Sequence, residues 1–269
     1  YMLNQKDINK QTFTVTVADG VTGGTISTSP SGNVAWDTEV TVTPAPATGY
    51  ELATLTYNDG SDHDIKAVGT FTMPQSDVTV SGTFQKKDFA ITADGTPTSG
   101  TYTVTGGTYT IKNGSDDVTT AKMDDVITVT PAPAVGYELV SITWAPEGGS
   151  DTDITTEKKF TMPAKNVIVT VTFKKTDFNI TKATATHGSF TVKKGDTEVE
   201  KANYQDQITV VPDPDDGYVL DAITVTKDGG ESVDVTDDKF TMPAKAVTVS
   251  VTFKAQAPGT TPDYGITPW

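Results

Sequence analysis

Phe240-Thr241-Met242-Pro243-Ala244-Lys245-Ala246-Val247-Thr248-Val249-Ser250-Val251-Thr252-Phe253 decides how the rest of this chain is read. From Val247 onward, apolar residues alternate with Thr and Ser. A period of two with one apolar face is the pattern of a half-buried β-strand. The polar face is mostly Thr, which is β-branched and favours extended backbone without adding apolar surface. The same pattern occurs twice more: Phe71-Thr72-Met73-Pro74 leads into residues 78–84, and Phe160-Thr161-Met162-Pro163 into residues 167–173. The step from Met to the last Phe is 11 residues each time: Met73 to Phe84, Met162 to Phe173 and Met242 to Phe253.

Working upstream, each copy has a second anchor. Thr43-Pro44-Ala45-Pro46, Thr130-Pro131-Ala132-Pro133 and Val211-Pro212-Asp213-Pro214 are followed by Gly49-Tyr50, Gly136-Tyr137 and Gly217-Tyr218. Three anchors held in register three times mark an internal repeat. Its period of about 80–90 residues is too long for a solenoid repeat and suits a small autonomous domain. The expected organisation is an N-terminal extension at 1–12, modules at 13–87, 88–176 and 177–256, and an extended tail at 257–269. Phe84 is separated from Asp88 by Gln85-Lys86-Lys87, and Phe173 from Asp177 by Lys174-Lys175-Thr176. Joints this short are not flexible coils, so three beads on a stiff, elongated rod are expected.

Further strands are expected at residues 13–17, 37–43, 125–130 and 205–211. Pro-x-Pro stops pairing because Pro has no N–H to donate. Asp59-Gly60, Gly148-Gly149 and Gly229-Gly230 read as hairpin turns. Module two carries extra residues before Gly107, where Gly100-Thr101-Tyr102-Thr103 duplicates Gly107-Thr108-Tyr109-Thr110. No window has a 3.6-residue period. The expected fold class is therefore all-β: three tandem small antiparallel β-domains of about six strands each.

The Gly-Tyr, Phe-Thr-Met-Pro-Ala and Val-x-Val-x-Phe elements together resemble the divergent InlB B-repeat domain family of bacterial repeats. Module one departs from the pattern with Gln75 in place of Ala. The resemblance implies a bacterial cell-surface or secreted protein with such domains in tandem, and neither catalytic residues nor a cofactor. Better-characterised InlB B-repeats are similar to β-grasp folds with a helix, for which no helical pattern is found here.

Composition narrows the functional classes. The 269 residues hold no Cys, which rules out a disulfide framework and thiolate metal sites. Net charge −15 and a pI near 4.4 argue against nucleic-acid binding, which needs a cationic face. No apolar run reaches the roughly 18 residues of a helical membrane span, and no signal peptide is read at the N-terminus; if the protein is exported, as the resemblance implies, this is a processed chain. Of about fifty Thr, most fall on the wet faces of the expected strands.

Chemistry-bearing constellations are sparse. His63 and His187 lie in different modules at positions that are not His in the other copies. A hydrolase triad needs a base within reach of a nucleophile. Paired acids (Asp62 and Asp64, Asp151 and Asp153, Glu231 and Asp234) sit at hairpin tips, which offer no glycosidase cleft. Asp59, Asp62 and Asp64 are the best Ca²⁺ candidates, with Asp213, Asp215 and Asp216 second, although neither has EF-hand spacing. Trp144 and Tyr57 are weak carbohydrate-platform candidates. Trp36, Met123 and Tyr204 align with one another, which reads as core or half-core packing. Isopeptide crosslinks need a Lys buried in apolar surroundings, whereas Lys86, Lys87, Lys174 and Lys175 stand at strand ends. Asn113-Gly114-Ser115 and Asn179-Ile180-Thr181 match the glycosylation sequon. No cofactor is expected.

The two ends supply the remaining candidates. Tyr1, Met2, Leu3, Ile8, Tyr264, Ile266 and Trp269 are apolar anchors for contact with another subunit, for example as an added strand. Two functional classes follow. One is a structural homo-polymer, a filament or surface layer joined end to end through the termini. The other is a tandem adhesin or spacer displayed on the cell surface, binding a host protein or a glycan.

Overall fold

The computed structural model describes residues 11–95 and 97–257. By packing, the described residues divide into two compact units: those of 11–102 with 110–130 and 142–170, and those of 103–109 with 131–141 and 171–257. The division runs through the middle repeat, so each unit holds one outer repeat and one part of the middle one.

In the first repeat the strands are β1 (Thr12–Val17), β2 (Gly24–Ser29), β3 (Gly32–Ala35), β4 (Glu39–Pro46), β5 (Tyr50–Asn58), β6 (Asp62–Asp64), β7 (Thr70–Thr72) and β8 (Val78–Lys86). They form a five-stranded sheet in the order β3-β1-β8-β5-β6 and a three-stranded sheet in the order β2-β4-β7. Both sheets contribute to one core. Val15, Leu55, Val78 and Val80 come from the larger sheet, Val40, Val42 and Phe71 from the smaller, and Met73 lies between them. Along β8 the alternation is literal: Val78 and Val80 are buried and Thr79 is exposed. The third repeat builds the same five-stranded sheet, with a second sheet of four strands because a short strand, Thr197–Glu198, is added at its edge. Met73, Met162 and Met242 are all at most 1% exposed, which accounts for the recurrence of Met after Phe-Thr.

The all-β, three-repeat expectation holds, and among the described residues there is no helix, hence none long and apolar enough to cross a membrane. Two details differ from the sequence expectation. There are more than six strands per repeat, because two- and three-residue edge strands such as β6 and β7 are too short to show a period. One pairing in every repeat is also parallel rather than antiparallel. Val15 pairs with Val78, Ile91 with Val167, and Ile180 with Val247, each time the first strand beside the last. Alternation reports that a strand is half-buried and says nothing about its neighbour's direction. The parallel pair has a consequence for function. A repeat whose first and last strands run side by side in the same direction receives the chain at one end and releases it at the other.

The extra residues of the middle repeat form a hairpin, Pro97–Thr98 with Thr101–Val104, that extends the second sheet beside Gly107–Asn113. The duplicated Tyr102 and Tyr109 are 4% and 1% exposed.

Candidate functional site

The acidic hairpin tip of the first repeat holds the Ca²⁺ candidates. Each carboxylate is taken by a different local donor. Asp62 Oδ1 accepts from Asn58 Nδ2 at 2.7 Å, and Asp64 Oδ1 accepts the Lys66 N–H at 2.8 Å. Asp59 Oδ1 lies 3.0 Å from His63 Nε2, and this hydrogen bond holds the Asp59 carboxyl below its usual range. Among the described residues no group of three or more acidic or imidazole side chains is placed to hold a metal ion. A melting temperature unchanged by millimolar Ca²⁺ or by chelator is therefore expected, since only a ligand that prefers the folded state raises it.

His63 also lies 3.2 Å from Ser61 Oγ, which brings Ser, His and Asp together. Both partners meet the same ring nitrogen, Nε2. A proton relay needs one nitrogen for the nucleophile and the other for the orienting acid, so this cluster has the residues of a triad without its wiring. The ring of His63 stacks on Tyr57 at 4.6 Å, and Tyr57 stacks on Phe71 at 4.4 Å. Trp144 stacks on Phe160 at 4.7 Å. Tyr57 and Trp144, the carbohydrate-platform candidates, thus each lay a face against an aromatic neighbour.

The joints between repeats are more elaborate. In each repeat the loop after Pro-x-Pro is a fixed turn: the N–H of Tyr50, Tyr137 and Tyr218 donates to the carbonyl of Ala47, Ala134 and Asp215. Gly49, Gly136 and Gly217 sit in that turn at φ of 82°, 78° and 84°, a region that favours Gly. Their carbonyls accept from the N–H of Lys87, Thr176 and Gln256, which ties each loop to the end of its own repeat. Call this glycine loop the seat. At the other end of each repeat, a second turn carries Trp36, Met123 or Tyr204. The next residue, Asp37, Asp124 or Gln205, has φ of 65°, 74° or 69°, and its N–H donates to the carbonyl of Met73, Met162 or Met242. This turn is a knob.

Met123 occupies the seat of the first repeat: a Cβ on Gly49 would stand 2.6 Å from the Met123 sulfur and 3.3 Å from the Cβ of Ala164. Tyr204 occupies the seat of the second: a Cβ on Gly136 would stand 2.3 Å from its Cγ. Only glycine lets a ring lie so close to the backbone. Polar groups clamp the first joint. Lys86 Nζ donates to the Met123 carbonyl at 2.8 Å and pairs with Asp124 at 3.0 Å, and that hydrogen bond raises the Lys86 pKa. Lys122 Nζ donates to the Lys86 carbonyl at 3.3 Å. Within the third repeat Asn203 Nδ2 donates to Asp177 Oδ1, which fixes the residue before Tyr204.

Asp206 braces the second knob. Its Oδ2 accepts from the Asn203 N–H at 2.9 Å and from Lys194 Nζ at 2.6 Å. Partial burial pushes its pKa up, yet the Lys194 ammonium and the Asn203 N–H outweigh this and leave it below the usual carboxylate value. A depressed folded pKa gives stability that is complete above the unfolded value, about 4, and is lost as pH falls through the folded one. Asp206→Ala is expected to cost about 2 kcal/mol at pH 7. In thermal melts, its difference from wild type should shrink progressively as pH falls below about 4.

The seat glycines escaped the sequence reading, although Gly-Tyr recurs in every copy. The alternation of Trp36, Met123 and Tyr204, read as core packing, is packing between repeats for Met123 and Tyr204. The terminal candidates Tyr1, Met2, Leu3, Ile8, Tyr264, Ile266 and Trp269 lie outside the described residues.

No curated protein matches the chain. Among solved structures, the Bacillus anthracis TIE protein aligns over 92% of this chain and 51% of its own length, at 15% identity and a TM-score of 0.38. The chain thus spans about half the length of that protein, and so loose a likeness carries no argument. The family model described as the divergent InlB B-repeat domain matches residues 13–88, 90–177 and 178–257. With nearly its whole length taken up by three such matches, the chain belongs to the divergent InlB B-repeat domain family.

Proposed function

We propose that this protein is a non-enzymatic, extracellular structural protein of a bacterial surface, a stiff tandem array that joins end to end into a filament or layer through its terminal segments. The observation that carries this reading is the joint: a large side chain of one repeat seated on a glycine of the repeat before it, twice in succession. Contacts of this kind resist bending, which a spacer or fibre subunit needs and a flexible linker does not. The parallel first and last strands support it, because they pass the chain from one end of a repeat to the other. Membership in a repeat family of bacterial surface proteins supports the location. An open head-to-tail contact builds fibres when its rotation does not close.

Negative-stain microscopy and sedimentation of the full chain, beside a chain lacking residues 257–269, test the proposal. Multimers that become monodisperse monomer on deletion are the expected result. Multimers unchanged by the deletion would remove the tail from the account.

A further inference from the structure

Among the described residues there are three knobs and three seats, and two knob–seat pairs are made. The Trp36 knob occupies none of the three seats, and a Cβ on Gly217 would meet no described residue within 4 Å. Both unused parts have the geometry of the used ones. The Trp36 knob has the same donor from Asp37 N–H to the Met73 carbonyl, at 3.0 Å against 2.9 Å in the other two. The Gly217 seat has the same φ and the same tie from the Gln256 N–H, at 2.8 Å against 2.9 Å. Gly217 is exposed, while Gly49 and Gly136 are half-covered by their knobs.

We propose that the Trp36 knob of one molecule docks on the Gly217 seat of a second copy of this chain, continuing the internal joint from molecule to molecule. The inference rests on the structural reading above and adds a weaker contact between folded repeats to the one made by the terminal segments. The occupant is argued from the chain itself, which shows twice what a seat of this shape accepts. Trp is also the largest of the three knob residues and the kind of side chain that anchors an interface. The knob belongs to the first repeat and the seat to the third, two different surfaces, so the contact is heterologous.

The outer faces differ from the inner ones in ways that set the strength. Ala255 stands where Lys86 clamps the first joint, and Gln75 stands where Ala164 touches the Gly49 seat. The docking therefore lacks the ammonium clamp. It also lacks the covalent link that gives an internal joint an effective concentration of about a millimolar. Copies join reversibly at high local concentration, as on a crowded cell surface.

The chain has no Cys, so single thiols report cleanly. Asp37 and Ala255 are the outer counterparts of Asp124 and Lys86. One preparation carries Asp37→Cys and the other Ala255→Cys, and they are mixed at about millimolar total protein with a short bis-maleimide. A chain with both Lys86→Cys and Asp124→Cys, which must link within itself, proves that the reagent spans a joint. The expected result is a mixed dimer whose yield falls about tenfold when the Asp37→Cys chain also carries Trp36→Ser. A similar fall is expected when the Ala255→Cys chain also carries Gly217→Ala, which shuts the seat without touching the core. Multimers in sedimentation without this crosslink would overturn the docking and leave the structural reading standing. Monomers throughout would overturn both. A crosslink seen only after deletion of residues 258–269 would mean that the chain's own tail takes the seat, and would overturn docking between full-length copies.

Discussion

Gly136→Ala should destabilise this protein by about 3 kcal/mol, three times as much as the same change at Gly217. Both residues have positive φ, 78° and 84°, so Ala brings about 1 kcal/mol of backbone strain at either place. Only at Gly136 is the space taken: the new Cβ would lie 2.3 Å from Cγ and Cδ1 of Tyr204 and 2.5 Å from its Cβ. Those atoms are at the root of the side chain, so no rotation of the ring relieves the clash. The knob must leave the seat, which forfeits the apolar burial of a Tyr, about 2 kcal/mol. Gly49→Ala should fall between the two, because the atom it meets first is the Met123 sulfur on a flexible chain. Thermal unfolding of the three variants gives the order. Limited proteolysis should reveal new cleavage near residues 174–176 in Gly136→Ala alone.

Met242→Ala is the other large effect, about 3 kcal/mol, from emptying a site whose side chain is fully buried in the core of the third repeat. Met242→Leu, which keeps the volume, should cost under about 1.5 kcal/mol. The loss should spread beyond the cavity. The Met242 carbonyl accepts the Gln205 N–H, and its N–H donates to the Asp206 carbonyl, so the strand that positions Met242 also holds the knob turn. Faster amide hydrogen exchange at residues 203–206 is expected in Met242→Ala and not in Met242→Leu.

Much of this architecture was legible in the sequence, for physical reasons that differ by element. The long strands were visible because Val247, Val249 and Val251 are buried while Thr252 is exposed, and that contrast is what alternation records. The parallel pairing of Val15 with Val78 was not visible, because strand direction depends on a connection of some sixty residues and not on local pattern. The joint was half-legible. The equivalence of Trp36, Met123 and Tyr204 marked a position that wants a large apolar group, and burial inside a repeat predicts the same alternation as burial between repeats. What separates them is the glycine opposite. Positive φ already favours Gly at 49, 136 and 217, and the close approach of Tyr204 adds a second demand at 136 that becomes apparent only when the neighbouring repeat is in place. Gln75 can be understood in the same way: its counterpart Ala164 touches the Gly49 seat, whereas Gln75 is exposed in the repeat whose knob is unused.

The central claim is that a knob on a glycine seat couples successive repeats. A double-mutant cycle between residues 136 and 204, read by thermal unfolding, tests it most directly, because contacting residues are non-additive and distant ones add. The account predicts that Gly136→Ala in a Tyr204→Gly background, which removes the Cβ as well as the ring, costs no more than Gly217→Ala does in the wild type, about 1 kcal/mol of strain with no clash left to relieve. Costs for Gly136→Ala and Tyr204→Gly that simply add would contradict it.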